Sequence, residues 1–250
     1  MAGVSGKVVL VTGAGRGIGR ATALAFARLG CRMALGFRDL EDDHGATEEI
    51  ASLGVEVLPL QLDVRHKDQI DAAVSATVVR FGQIDILVNN AGGGRIALAV
   101  DVTEEDFDAI VSANLKGTFF MSQAVGRIMI AQGGGKIVNV GSQAGAVALP
   151  MESIYCAAKA GVAHLTKCLA AEWGSHHINV NCVAPTFIRT PGTEPALSDP
   201  TFKKHVLDMI ALGRVGEVED VTGVIVFLCS ESAAMITGAT VLIDGGWTLK

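Results

Sequence analysis

Three side chains suited to moving a proton and holding a carbonyl oxygen lie within eighteen residues: Ser142, Tyr155 and Lys159. Tyr155 is the sequence's one tyrosine. It stands four residues before Lys159, in an Ala- and Leu-rich segment that reads as helix from 152 to about 173. Side chains four apart on a helix share a face. An ammonium beside a phenol favours the phenolate and draws its pKa down from about 10. A tyrosine so tuned exchanges a proton near neutral pH. Ser142 follows the apolar run 136–140, so a loop at the end of a buried strand would bring its hydroxyl beside Tyr155. The same spacing also fits an ordinary amphipathic helix with no chemistry in it. The elements that would position these groups decide between the two.

Apolar runs of strand length occur at 8–11, 32–35, 55–60, 84–88, 137–140, 178–183 and 240–243. Helical spacing fills 17–29, 41–53, 67–81, 104–132, 152–173 and 218–229. Residues 185–199 hold three of the six prolines and read as a long loop leading into a helix near 200–212. Continuous apolar strands alternating with helices predict a parallel sheet covered on both faces. Right-handed crossovers make it a doubly wound α/β sheet of the Rossmann type, whose ligands bind beyond the carboxyl ends of the strands. A chain of 250 residues is compatible with one such domain or two small ones.

Composition narrows the function classes. Half of the residues are hydrophobic, 18% are charged, and the formal net charge is −6, with no basic run. This argues against a nucleic-acid groove or an anionic membrane surface. The longest apolar stretches fall far short of the roughly 18–20 residues that span a bilayer, and the start of the chain does not read as a signal peptide. The five cysteines (Cys31, Cys156, Cys168, Cys182 and Cys229) are odd in number and widely spaced. Reduced thiols packed in a core are expected, which suits the cytoplasm. His176-His177 lacks suitably spaced carboxylates or thiolates, so no metal site is expected.

The first strand runs into Thr12-Gly13-Ala14-Gly15-Arg16-Gly17-Ile18-Gly19. A glycine-rich turn at a helix N-terminus lets the backbone approach a pyrophosphate, and the free N–H groups and helix dipole hold the anion. After the second strand come Phe37, Arg38 and Asp39. An NAD enzyme wants a carboxylate at this strand end, whereas a 2′-phosphate wants arginine. Arg38, helped by Arg16, favours NADP(H), and Asp39 keeps NAD(H) open. Asp63-Val64 ends the third strand; Asp63 either bonds an adenine amino group or caps the next helix. Asn89-Asn90-Ala91-Gly92 fits a tight turn against a ligand, or one with no ligand. Asn114 and Gly117 are poor helix residues inside 104–132, which predicts a kink stabilised by water or a ligand.

Together, Thr12-Gly13-x-x-x-Gly17-x-Gly19, Asn89-Asn90-Ala91-Gly92, Asn114, Ser142 and Tyr155-x-x-x-Lys159 resemble the short-chain dehydrogenases/reductases, in order and spacing, from Lys7 to Gly246. The resemblance implies a seven-stranded parallel sheet in one domain over 1–250. Its cofactor-binding half would span about 1–140 and its catalytic and substrate-loop half about 141–250. It also implies a nicotinamide cofactor, no metal and a homotetramer. Tyr155 would be the acid/base, Lys159 the group that tunes it and holds the ribose, and Ser142 the group that positions the substrate oxygen. Asn114 would anchor a water linked to Lys159. Cofactor contacts would come from Gly13, Arg16, Gly17, Ile18, Gly19, Arg38, Asp63, Val64, Asn90, Pro185, Ile188 and Thr190, with Tyr155 and Lys159. One departure stands out: where the family has Pro-Gly, this chain has Pro185-Thr186.

The implied activity is interconversion of a secondary alcohol and a ketone. Gly93 to Ile96, Gln143 to Met151, Glu152 and the loop near 186–212 would form the substrate walls. This mixture fits a small sugar-like or oxo compound, and the chain is similar to sugar and gluconate dehydrogenases. It is less similar to 3-oxoacyl-acyl-carrier-protein reductases, whose partner needs a basic landing surface. A non-catalytic NADP(H) sensor or scaffold and a methyltransferase on the same sheet are the competing readings. Family members without catalysis generally lose the tyrosine or lysine, and a methyltransferase has no use for Tyr-x-x-x-Lys.

Overall fold

Seven runs rich in Val, Ile and Leu become seven parallel strands because both faces of the sheet are covered. The computed structural model describes residues 3–249. The strands are β1 (Val8–Thr12), β2 (Arg32–Phe37), β3 (Val57–Gln61), β4 (Ile86–Asn89), β5 (Gly135–Val140), β6 (Ile178–Pro185) and β7 (Thr240–Ile243). Every residue of β1 is buried, as a central parallel strand requires. The helices are α1 (Gly17–Arg28), α2 (Ala46–Ala51), α3 (Lys67–Phe81), α4 (Glu104–Val111), α5 (Gly117–Gln132), α6 (Ser153–Trp173), α7 (Glu194–Leu197), α8 (Pro200–Met209) and α9 (Val218–Cys229).

Side chains alternate across a strand, and the core divides accordingly. Val9 and Val11 pack with Phe26 of α1 and Ile225 of α9 on one face. Val8 and Leu10 pack with Ile70 of α3 and with Val125 and Met129 of α5 on the other. A third, smaller cluster joins Leu197, Val206, Ile210, Val215 and Trp247.

The strand order is β3-β2-β1-β4-β5-β6-β7. The chain winds outward from β1 to β3, then returns to build the other half from β4. The switch point therefore lies between β1 and β4, where ligands bind in sheets of this kind.

Several boundaries differ from the sequence expectation, and a short helix, α7, lies inside the loop expected over 185–199. The helix expected over 41–53 is reduced to α2, because a 3-10 turn (Leu40–Asp43) comes first and His44 and Gly45 both take left-handed φ values of 50° and 76°. The helix expected over 104–132 is divided by a π-helical turn, Ser112–Lys116. The helix expected to reach 212 stops at Met209, where Ile210 is extended. The cysteines are all free, but the expectation of five core thiols is corrected at Cys168, which is exposed on α6.

Candidate active site at the carboxyl ends of the strands

The glycine turn after β1 is shaped by close approach. Gly13 and Gly17 have φ values of +66° and +56°, in the left-handed region. A Cβ on Gly19 would stand 2.2 Å from the Gly13 carbonyl oxygen and 2.5 Å from Asn90 Nδ2. Arg16 is the N-cap of α1, extended and exposed, with no side-chain cap on the helix and no acidic residue in its first turn. The first N–H groups of α1 are thus left for an anion. Ile18 is half-buried on this first turn. Thr190 closes the turn from outside: its Cγ2 would lie 3.3 Å from a Cβ on Gly17.

Asn90 joins β1 to β4. Its Nδ2 donates to the carbonyl oxygens of Thr12 (3.0 Å) and Gly13 (3.1 Å). Thr12 Oγ1 accepts from the backbone N–H of Asn90 and of Ala91, both at 2.9 Å. Asn90 therefore fixes the floor of the glycine turn, with its side-chain amide engaged by protein. The role of Thr12 was missed from sequence, although a hydroxyl at the end of a buried strand was the signal.

At the far end of the turn, Phe37 is buried in the core. Arg38 is exposed and pairs with Asp42 Oδ2 at 3.3 Å. Asp39 caps the 3-10 turn after β2 by accepting from Glu41 N at 3.2 Å. Asp63 does not cap α3, whose N-cap is His66. Its carboxylate instead accepts from the backbone and guanidinium of Arg65, which holds it below the usual carboxylate range. Its backbone N–H donates to Gln69 Oε1 at 2.8 Å. Val64 packs on Gly117, where a Cβ would approach Val64 Cγ2 to 2.8 Å. This close approach explains the glycine at the start of α5.

The four candidate catalytic residues meet beyond β4 and β5. The π-helical turn places Asn114 fully buried against the loop after β4. Its Nδ2 donates to Gly93 O (2.7 Å) and Ile110 O (2.8 Å), and its Oδ1 accepts from Gly93 N (3.3 Å). The expected kink is thus a π turn tied down by protein groups. A Cβ on Gly92 would lie 2.5 Å from Asn114 Oδ1 and 3.5 Å from Lys159 Nζ, so both side chains crowd the same point. Lys159 Nζ donates to Val140 O at 2.8 Å and lies 5.6 Å from the centre of the Tyr155 ring. Ser142 is hydrogen-bonded to the Tyr155 phenol, and its Oγ also accepts from Ala144 N at 3.1 Å. Gly94 leaves room for the ring, since a Cβ there would reach Tyr155 Cδ2 at 3.2 Å.

The electrostatics overturn one expectation. Lys159 does not draw the Tyr155 pKa down. Burial pushes the phenol up to about 12, against the hydrogen bond from Ser142, and the Glu152 charge adds to the rise. Burial also pulls the Lys159 ammonium down to about 8. Desolvation is the largest cause of both shifts. Tyr155 is therefore a neutral phenol at pH 7, the form that gives a proton to a carbonyl oxygen.

Three polar wall residues are left unpaired. Gln143 is 1% exposed, and its Oε1 has no partner. Thr186 Oγ1 is enclosed and also lacks one, beside Pro185 at the end of β6. Glu152 is half-buried with its carboxylate unpaired, and burial raises its pKa. Met151, just before it, has φ +67°, and its carbonyl accepts from Ala97 N at 2.9 Å. Ile188 points into the core, and its carbonyl accepts from Thr193 Oγ1 at 2.5 Å. Asn89, Asn139, Ser122 and Thr166 form a buried chain with three bonds of 2.9 Å behind the site. Asn139 was missed, although an asparagine inside an apolar strand was a readable signal.

Known proteins share this fold. A family profile described as enoyl-(acyl carrier protein) reductase matches residues 13–248. The chain is 44% identical to the 3-oxoacyl-[acyl-carrier-protein] reductase FabG of Thermotoga maritima, over 97% of this chain and 98% of that one. The chain belongs to the short-chain dehydrogenase/reductase family. Membership makes it an oxidoreductase. Another relative within this range is the D-threitol dehydrogenase of Mycolicibacterium smegmatis, 43% identical over 99% of this chain and 95% of the other. A solved structure from Agrobacterium tumefaciens with bound NADP is 38% identical, with a TM-score of 0.90 over 98% of each chain. Short-chain dehydrogenases/reductases bind NAD(P), and the uncapped start of α1 with its glycine cradle fits the pyrophosphate of such a cofactor.

Proposed function

We propose that this protein interconverts a secondary alcohol and a ketone on a small sugar-like or oxo compound, with NADP(H) as the preferred cofactor. The observation that carries this reading is the meeting of Ser142, Tyr155, Lys159 and Asn114 at the strand ends, next to a glycine turn built for a pyrophosphate. The nicotinamide, when bound, supplies the hydride in reduction and accepts it in oxidation. Ser142 and Tyr155 hold the substrate oxygen as charge builds on it, and Tyr155 donates its proton there. Lys159, held by Val140 O, would border the ribose of the cofactor, and Asn114 fixes the wall beside Lys159. In oxidation Tyr155 takes the proton back.

Gly13, Gly17, Ile18 and Gly19 would face the pyrophosphate, and Asp63, Val64 and Asn90 would shape the adenosine side. Pro185, Ile188 and Thr190 would border the nicotinamide. Arg16 and Arg38 are exposed at the end of the cradle, while the Asp39 carboxylate is spent on Glu41 N. This supports NADP(H) over NAD(H). The chain would work as one domain in a cytoplasmic homotetramer.

A second reading, 3-oxoacyl-acyl-carrier-protein reductase, is favoured by the 44% identity to such an enzyme. The net charge of −6 gives little support for the basic landing surface that an acidic carrier needs. The test is a panel of polyols, sugar acids, β-keto esters and diketones, read by reduced-cofactor absorbance with NAD(H) and with NADP(H). Turnover on hydroxylated compounds with NADP(H) is expected, and Arg38→Asp should shift the preference towards NAD(H). An unchanged cofactor ratio would count against Arg38 as the phosphate reader.

A further inference from the structure

We infer that the wall beside Tyr155 is built to read substrate hydroxyls, with the Glu152 carboxylate and the Gln143 amide oxygen as acceptors, so that polyhydroxylated compounds are the substrate class. This rests on the oxidoreductase reading above and assigns two residues to its specificity.

Ser142 and Tyr155 answer the reacting oxygen alone. Gln143 follows Ser142 directly, in the 3-10 turn Gln143–Gly145. Its backbone is tied, since its carbonyl accepts from Ala146 N (2.7 Å) and Val147 N (3.0 Å). Its side-chain oxygen is enclosed and unpartnered. Glu152 precedes Tyr155 by three residues at the start of α6, close enough for its charge to act on the phenol. The cation on the same wall, Arg95, is bound to Asp106 instead. The backbone that presents Glu152 is held in place, with Met151 in the left-handed region and bonded to Ala97. Two acceptors without donors thus adjoin the Ser142–Tyr155 pair along the chain, one residue after Ser142 and three before Tyr155.

Buried polar groups need partners. The hydroxyls next to the reacting carbon of a polyol are donors and complete both acceptors. An acyl chain beside a ketone has no donor and would leave both unpaired. A site made to bond a hydroxyl rejects the analogue lacking it by a factor on the order of 10⁴.

The experiment compares kcat/KM for threitol and erythritol with that for 2-butanol, a four-carbon alcohol without the extra hydroxyls. Ethyl acetoacetate serves as a reducible ketone. Wild-type protein, Glu152→Ala, Glu152→Gln and Gln143→Leu are assayed, and melting curves establish folding. The wild type should favour a tetritol over 2-butanol by at least roughly 10³-fold. Glu152→Ala and Gln143→Leu should each reduce that ratio by about tenfold or more, mainly through KM for the tetritol. Glu152→Gln, which keeps one acceptor oxygen, should recover part of it. An unchanged ratio in folded variants overturns the inference, as does a wild type that prefers 2-butanol or turns over ethyl acetoacetate alone. In that last case the oxidoreductase reading stands. Retained NADP(H) binding with no turnover of any of these compounds overturns the reading itself.

Discussion

Lys159 carries its ammonium into the interior, where the residue is buried. One hydrogen bond, to Val140 O at 2.8 Å, is what the fold offers it. Its pKa falls to about 8 through burial. The unfolded chain therefore binds more protons than the folded one between about pH 8 and 10.4, and stability rises with pH across that window. The cost of the buried charge is fully present below pH 8 and reaches about 3 kcal/mol. Thermal unfolding without cofactor, from pH 7 to 9.5, should show the wild type gaining on Lys159→Met as pH passes 8. A difference that stays flat with pH would contradict this. The phenol of Tyr155 behaves oppositely, since its raised pKa favours the fold at neutral pH and loses that effect above about 10. Desolvation by burial is the largest cause of both shifts.

At the scale of elements, the glycine turn and the π-helical turn do the positioning. Gly19→Ala would drive a methyl group into the Gly13 carbonyl at 2.2 Å and Asn90 Nδ2 at 2.5 Å, both of them parts of the same turn. Cofactor affinity, measured by fluorescence titration, should fall by at least about tenfold, equivalent to 1.4 kcal/mol. An unchanged affinity would remove the turn from the cofactor site. The glycines were legible because a strand end that turns straight into a helix needs left-handed φ values and close backbone approach, as at Gly13, Gly17 and Gly19. The helix 218–229 was legible to the residue, since an apolar stripe with a Glu217–Asp220 capping box needs no tertiary help. The π-helical turn was legible only as trouble: Asn114 and Gly117 disfavour helix. The bonds from Asn114 to Gly93 and Ile110, and the Val64 side chain over Gly117, come from elsewhere in the chain. The same holds for electrostatics. The Tyr155 and Lys159 pair was plain in the sequence, but the sign of the shift depended on burial. Unpaired atoms such as Gln143 Oε1 and Thr186 Oγ1 exist only once every neighbour is known.

At the scale of the whole molecule, a seven-stranded sheet brings residues far apart in sequence to one rim. β1 supplies the glycine turn, the loop after β4 supplies Gly92 to Gly94, β5 supplies Ser142, and α6 supplies Tyr155 and Lys159. Strand order alone puts the cradle and the candidate proton donor on the same edge. The two halves of the sheet meet there, at the switch point between β1 and β4. The central claim is that Tyr155 transfers the proton. It is tested most directly by Tyr155→Phe, with NADP(H) affinity and turnover measured on the same preparation. Affinity should hold within about threefold while turnover falls by a factor on the order of 10²–10⁴. Undiminished turnover in the phenylalanine variant would contradict it.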